Sequence, residues 1–283
     1  MQILIAAHSG FCEGVERAFR IAGETAREGK PVFMLGNLVH NKQVVEKLTR
    51  QGVKTVASLA EIPADSDGIL LISAHGVAPE IYEEAKKRGL HVVDTTCPWV
   101  KKAQQIAGQL AAAGRLVVIV GDRGHPEVKS LLGWSGGRAT VVENEADLAK
   151  LTLSPEGRVG IIAQTTQSTE HFDRMVGAVK RRVRDVIEFD TVCGATTKRQ
   201  TAAIDLARQA DLMLVIGDRL SANTKRLTEL CAQTGTETHQ IQTVAEFDRN
   251  WLTGKEKVGI SAGASTPEWI IQEILAALPR TVL

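Results

Sequence analysis

The sequence predicts an α/β fold of three similar parallel units set in a pseudo-threefold ring. Two observations predict it. Short β-branched runs alternate with longer helical stretches along the whole 283-residue chain. A pattern of cysteine, helix, strand and glycine also returns three times at one fixed spacing.

The strand runs, in order, are "VFMLG", "GILLISA", "HVVDTT", "RLVVIVG", "VGIIAQ", "VIEFDT", "LMLVIG" and "KVGISAG". They are too uniformly apolar for simple alternation, as in parallel sheets covered by helices on both faces. Patterns such as "APEIYEEAKKRG" and "KAQQIAGQLAAAG" supply the helices between them. The opening "MQILIAAHSG" has no basic stretch and a short apolar run, so it reads as a first strand and not a signal peptide. Low-complexity segments and long linkers are absent from the sequence.

The repeat is metrical. Cys12 to Gly36, Cys97 to Gly121 and Cys193 to Gly217 each span 24 positions. The next words match as well: "GNLVHNKQVVEKL", "GDRGHPEVKSLLG" and "GDRLSANTKRLTEL". Four residues after each glycine stands a polar group: His40, His125 and Ser221. A second strand-end motif follows in each unit: "SAHGV" with His75, "AQTTQST" with Thr165, "SAGASTPE" with Ser265. The expected units are 14–97, 98–193 and 194–283, the last completed by residues 1–13. In open parallel sheets ligands gather at the carboxyl ends of strands. Each unit would put one cysteine and two polar turns there.

The formal net charge is +1, which gives no electrostatic reason to bind nucleic acid or a membrane surface. No apolar run approaches a membrane span. The chain is expected in the cytoplasm, where four cysteines argue for ligation or catalysis over disulfides.

"DTTCPWVKKAQQIAGQL", "DTVCGATTKRQTAAIDLA" and "AHSGFCEGVERAFRIA" each set a thiol at the start of a helix. Free N–H groups and partial positive charge there favour thiolate. Pro98 suits a first helical position. One such cysteine is more often a core residue than a ligand; three at equivalent positions favour ligation. Three thiolates on a pseudo-threefold axis suit an iron–sulfur cluster with one iron left open. An electron-carrier cluster usually takes four cysteines, and structural zinc usually takes four ligands with close C-x₂-C pairs. Cys231, in "LTELCAQTG", falls outside the repeat and reads as a buried helical cysteine.

His40, His75 and His125 lie on strand-end turns, where each alone could be structural. With Thr165, Ser221, Asn223 and Ser265 they make a donor pocket at helix N-termini, suited to phosphate or diphosphate. In "GASTPEW", Ser265 and Thr266 can cap a helix that Pro267 opens. Glu127 in a first helical turn is usually dipole complementarity; inside the ring it is also the carboxylate placed to act as an acid. His8, His91, His171 and His239 lie off the repeat and read as surface or satisfied core. There is no G-x-x-x-x-G-K-[ST] and no G-x-G-x-x-G after a strand. A redox enzyme without a nicotinamide or flavin site must take electrons from a partner protein.

"GFCEGVERA", "GNLVHN", "SAHGV", "DTTCPWV", "GHPEV", "QTT", "DTVCGATTKRQ", "SANTKRL" and "GASTPEWII", taken in order, resemble the 4-hydroxy-3-methylbut-2-enyl diphosphate reductases over essentially the whole chain. The resemblance implies a monomeric three-lobed α/β fold around one [4Fe–4S] cluster. Cys12, Cys97 and Cys193 match its ligands, and one iron stays open to substrate. His40, His75, His125, Ser221, Asn223 and Ser265 match its diphosphate-binding positions. Thr165 and Glu127 match the residues that position the substrate hydroxyl and supply protons. The implied reaction is a two-electron reductive dehydroxylation giving isopentenyl and dimethylallyl diphosphates, with ferredoxin or flavodoxin as donor. Three positions, in two stretches, depart from the family. Ala222 stands where a second serine is usual, leaving the backbone N–H as the remaining donor. Ala103-Gln104 stands where Val-His is common.

Two other readings fit three converging thiols. An iron–sulfur hydro-lyase would need no electron donor and would be expected to offer arginines to carboxylates. A non-catalytic iron–sulfur redox sensor would bind without turnover, and the missing nucleic-acid motif counts against it.

Overall fold

In the computed structural model, which describes residues 1–279, strands and helices alternate along most of the chain. The chain starts with β1 (Gln2–Ile5), α1 (Glu13–Thr25), β2 (Val32–Leu35), α2 (Lys42–Arg50), β3 (Val53–Val56), β4 (Ile69–Ile72), α3 (Pro79–Lys87) and β5 (His91–Asp94). It continues through α4 (Pro98–Ala112), β6 (Leu116–Val120), α5 (Pro126–Trp134), β7 (Ala139–Val142), α6 (Glu145–Ala149), β8 (Arg158–Ala163), α7 (Thr169–Lys180) and β9 (Asp185–Phe189). The last part holds α8 (Gly194–Ala207), β10 (Leu212–Ile216), α9 (Ala222–Ala232), β11 (Glu237–Ile241), β12 (Lys257–Ala262) and α10 (Glu268–Ala277).

The strands form three four-stranded sheets, ordered β3-β2-β4-β5, β7-β6-β8-β9 and β11-β10-β12-β1. Every pairing is parallel. All three sheets share one topology, and in the third the N-terminal strand takes the fourth place. There Gln2 pairs with Lys257 and Ile5 with Ile260.

The strand sequences explain the layering. In β6, Val117 and Ile119 face α4 and α5 and meet Ile106, Leu110, Val128 and Leu131. Val118 and Val120 point the other way, toward Phe172, Met175 and Val179 of α7. In β10, Leu214 and Ile216 pack against Ile270 and Ile274 of α10, while Met213 and Val215 meet Leu206 and Leu227. Period-two alternation thus sends apolar side chains to both faces. Burying each contributes about 1.5–3 kcal/mol, and Leu214→Ala would cost about 2–5 kcal/mol.

β3, β7 and β11 do not stand out as apolar runs in the sequence. Each is an edge strand, paired with β2, β6 and β10 respectively. Edges face water on one side, so "VKTV" and "ETHQI" carry polar residues and lack a continuous apolar signature.

The chain divides into two compact units. The terminal unit comprises Met1–Glu16, Val39–Val44 and Gly194–Leu283; the central unit comprises Arg17–Leu38 and Val45–Cys193. The central unit holds the first two sheets, and the terminal unit holds the third. No helix among the described residues is long and apolar enough to cross a membrane.

Candidate functional site

Each repeat cysteine sits where a strand end meets a helix start. Cys97 is the N-cap of α4, with Pro98 at its first turn. Cys12 and Cys193 directly precede α1 and α8. One backbone device recurs at all three. Cys12 N–H donates to Ala264 O at 3.2 Å, Cys97 N–H to Ala74 O at 3.0 Å, and Cys193 N–H to Thr165 O at 2.9 Å. Each acceptor belongs to a second strand-end motif of the repeat.

The residues before the cysteines build the turns. Asp94 Oδ1 accepts from Thr96 N–H, and Asp190 Oδ1 accepts from Val192 N–H, each at 2.9 Å. Thr95 Oγ1 donates to Ile72 O and Thr191 Oγ1 to Ala163 O, both at 2.5 Å. "DTTC" and "DTVC" are therefore the same Asx-type turn written twice. None of the four cysteines forms a disulfide among the described residues. Cys12, Cys97 and Cys193 are half-buried, whereas Cys231 is fully buried in α9. Burial pushes the Cys231 thiol up to about 11. Three partly accessible thiols at helix starts fit thiolate ligation of a soft metal centre; Cys231 does not.

In the central unit, His125 is the N-cap of α5, and its Nδ1 accepts from Glu127 N–H at 3.2 Å. The His75 ring meets His125 edge to face, with centroids 5.1 Å apart. Glu127 lies in the first turn of α5 and is 2% exposed. Its Oε1 accepts Thr165 N–H at 2.7 Å, and its Oε2 accepts Thr165 Oγ1 at 2.8 Å. Burial drives the Glu127 carboxyl up to about 7, against the two hydrogen bonds from Thr165, which pull it down. A buried carboxyl that titrates near neutrality and holds a threonine hydroxyl can store and deliver a proton.

In the terminal unit, Ser221 is the N-cap of α9, and its Oγ accepts Thr224 N–H at 3.3 Å. Ala222 and Asn223 follow in the first helical turn, where backbone N–H groups lack intrahelical partners. Asn223 is 3% exposed, and both atoms of its amide lack a hydrogen-bond partner among the described residues. Beside the N–H groups of a helix N-terminus, the Asn223 Nδ2 is a donor that an anion could accept from. Ser265 Oγ donates to His40 O at 3.0 Å and lies 3.4 Å from Ser221 Oγ. Burial holds the His40 imidazole below its ordinary range, and the Asp218 carboxylate opposes that.

The helix start at "GASTPEW" differs from the expectation. Pro267 is the N-cap of α10 and not its first residue, and no side chain caps the helix. Thr266 Oγ1 instead donates to Ile216 O at 3.0 Å, which ties the turn to β10. Ser265 is similarly committed to the His40 backbone.

Three positioning residues escaped the sequence reading. Asp218 accepts Leu220 N–H at 2.8 Å, Lys42 N–H at 3.0 Å and Gln242 Nε2 at 3.0 Å, joining the His40 and Ser221 turns. Asn41 Oδ1 accepts Val44 N–H at 3.1 Å and caps α2. Buried Arg199 donates from Nη2 to Gly10 O at 2.7 Å, beside Cys12. Asp218 carried a signal, since "GDR" follows two of the three strands, but a turn aspartate is usually only an Asx cap. The four histidines off the repeat stay outside these arrangements: His8 and His91 are exposed, and His171 and His239 are half-buried.

The chain is 44% identical over 275 residues to a 4-hydroxy-3-methylbut-2-enyl diphosphate reductase of Geobacter metallireducens, covering 97% of this chain and 96% of that one. A relative of the same description from Pelobacter propionicus is 42% identical over 278 residues, covering 98% of each chain. Among solved structures, the E-1-hydroxy-2-methyl-but-2-enyl-4-diphosphate reductase of Plasmodium falciparum superposes with a TM-score of 0.94 at 29% identity. That match covers 99% of this chain and 88% of the other. A structure described as (E)-4-hydroxy-3-methyl-but-2-enyl diphosphate reductase, the terminal enzyme of the non-mevalonate pathway, gives 0.70 at 39% identity, covering 98% and 99%. The family model described as LytB protein matches residues 3–279, and the chain belongs to that family.

Proposed function

We propose that this protein is an iron–sulfur oxidoreductase that converts (E)-4-hydroxy-3-methylbut-2-enyl diphosphate to isopentenyl and dimethylallyl diphosphates. The observation that carries the reading is the pairing of buried Glu127 with both donors of Thr165. Replacing a hydroxyl by hydrogen and releasing water consumes two electrons and two protons. The protein must therefore place an acid where the hydroxyl leaves.

The cofactor in this reading is one [4Fe–4S] cluster per chain, held by Cys12, Cys97 and Cys193. When bound, it supplies electrons and one open, Lewis-acidic iron. The side chains do the rest. Thr165 Oγ1 orients the substrate hydroxyl and passes it the Glu127 proton, which burial helps the carboxyl to hold toward neutral pH. His40, His75, His125, Ser221, Asn223 and Ser265, with the Ala222 N–H, bind the diphosphate. The buried orphan amide of Asn223 supports that role. The electron donor is a protein of ferredoxin or flavodoxin type. The working form is a cytoplasmic monomer of three repeat units, 14–97, 98–193 and 194–283 with 1–13.

The test is anaerobic purification followed by assay with reduced viologen and the hydroxymethylbutenyl diphosphate. Electron-dependent formation of both isopentenyl and dimethylallyl diphosphates supports the reading. Dehydration without a reductant would assign a hydro-lyase, and stoichiometric binding without turnover would assign a sensor.

A further inference from the structure

We infer that Gln104 is a positioning residue that sets the His75 turn against the helix carrying His125 and Glu127. The inference deepens the proposed function and rests on that reading of the two histidines as anion ligands.

Gln104 lies on α4 seven residues after Cys97, two helical turns on and so on the same face. It is 3% exposed, in a helix whose other buried residues are all apolar. A buried primary amide is costly unless its hydrogen bonds are made. Gln104 Nε2 donates to Ser130 Oγ at 2.7 Å, and Ser130 Oγ donates on to Val77 O at 3.1 Å. Val77 O also accepts Trp134 Nε1–H at 3.0 Å. Ser130 and Trp134 belong to α5, the helix that His125 caps and that carries Glu127. Val77 lies two residues after His75.

Close packing restricts the same turn. Gly76 has φ +71°, and a Cβ there would collide with Gln104 Nε2 and Thr96 Cγ2. A Cβ at Gly133 of α5 would collide with Ala78. The turn presenting His75 is thus pressed flat between α4 and α5, and the Gln104–Ser130–Val77 chain holds the three segments in register. An apolar side chain of similar length would fill the volume but leave Ser130 without its donor.

The test uses Gln104→Met, Ser130→Ala and the double variant. Each is compared with the native protein, cluster loaded, for iron content, affinity for inorganic diphosphate, kcat and KM. Histidine side-chain resonances of the same proteins are followed by NMR. We expect full iron content, diphosphate affinity and KM weakened about three- to tenfold, and kcat within about twofold, since one neutral hydrogen bond is at stake. The resonances of His75 and His125 should shift in both single variants. The double variant should be no worse than either single, because the two residues form one chain. Gln104→His, which keeps a ring N–H donor, should restore affinity. Unchanged diphosphate affinity, additive losses, or a lower melting temperature with unmoved His75 and His125 resonances would overturn the inference. Native turnover separates this outcome from failure of the proposed reaction, because diphosphate affinity and the resonances are read without catalysis.

Discussion

Glu127 holds Thr165 by both of its hydrogen-bond donors, the amide at 2.7 Å and the hydroxyl at 2.8 Å. The carboxyl is buried, and its folded-state value is about 7 against an ordinary 4.5. The folded chain therefore binds this proton more tightly than the unfolded chain does. The stabilising contribution is full below about pH 4.5 and is lost as pH rises through about 7. A shift of that size corresponds to at most roughly 3.5 kcal/mol. Glu127→Gln can offer Oε1 to the Thr165 amide and Nε2 to its hydroxyl, and it does not titrate. Urea unfolding at pH 5 and pH 8 should show native stability falling relative to Glu127→Gln. Parallel pH dependences would mean that the folded protein does not raise this carboxyl.

Asn223 should trade stability against binding. Its amide is buried and unpartnered among the described residues. A buried unpaired polar group costs about 1–3 kcal/mol. Asn223→Ala removes that cost, so the melting temperature without substrate should stay level or rise. KM should rise roughly ten- to a hundredfold, as expected for the loss of a hydrogen bond to a charged diphosphate. Steady-state kinetics beside thermal melts decides it: a drop in melting temperature with unchanged KM would make Asn223 structural.

Ala222 occupies the first position of α9, between the capping Ser221 and Asn223. Ala222→Ser adds one hydroxyl at the proposed diphosphate turn. One neutral hydrogen bond is worth about 0.5–1.5 kcal/mol, so substrate affinity should improve about two- to tenfold. Unchanged or weaker affinity in a titration would mean that the side chain at 222 does not face phosphate.

The cysteines should separate cleanly. Cys12→Ser, Cys97→Ser and Cys193→Ser should each lose or degrade the cluster, since soft thiolates select iron–sulfur centres. Cys231→Ser should retain it, because that thiol is buried among α8, α9 and β10 and held protonated. Iron and sulfide analysis after anaerobic reconstitution reads this. A full complement in all three repeat variants would contradict the ligand assignment.

The sheets and helix starts were legible because their chemistry is local. Apolar runs marked the inner strands, and "DTTC" and "DTVC" wrote their turns into adjacent residues. Edge strands β3 and β11 were not legible because "VKTV" and "ETHQI" carry polar residues, and β7 was missed although "ATVV" is apolar; the edge strands β5 and β9 did show, as "HVVDTT" and "VIEFDT". Glu127 and Thr165 were marked by the repeat, but the hydrogen bonds joining them cross 38 positions and appear only in the fold. Gln104 and Asp218 were hidden for the same reason: their partners lie 26 and up to 176 residues away. A helical glutamine or a turn aspartate looks ordinary until its buried partners are known. The cap at Pro267 was misplaced by one residue because Ser265 and Thr266, good caps by composition, spend their hydroxyls on His40 and Ile216.

The central claim is that Glu127, acting through Thr165, protonates the departing hydroxyl. The most direct measurement is single-turnover kinetics of reduced, cluster-loaded Glu127→Gln beside the native protein, with electron paramagnetic resonance on the same samples. General acid catalysis contributes about 10²–10⁴-fold, so product formation should slow by that factor while cluster content and diphosphate affinity hold. The variant's spectrum should still change on adding substrate, because binding precedes proton transfer. Product formed at the native rate would remove Glu127 from the mechanism, and loss of the cluster would make it a structural residue.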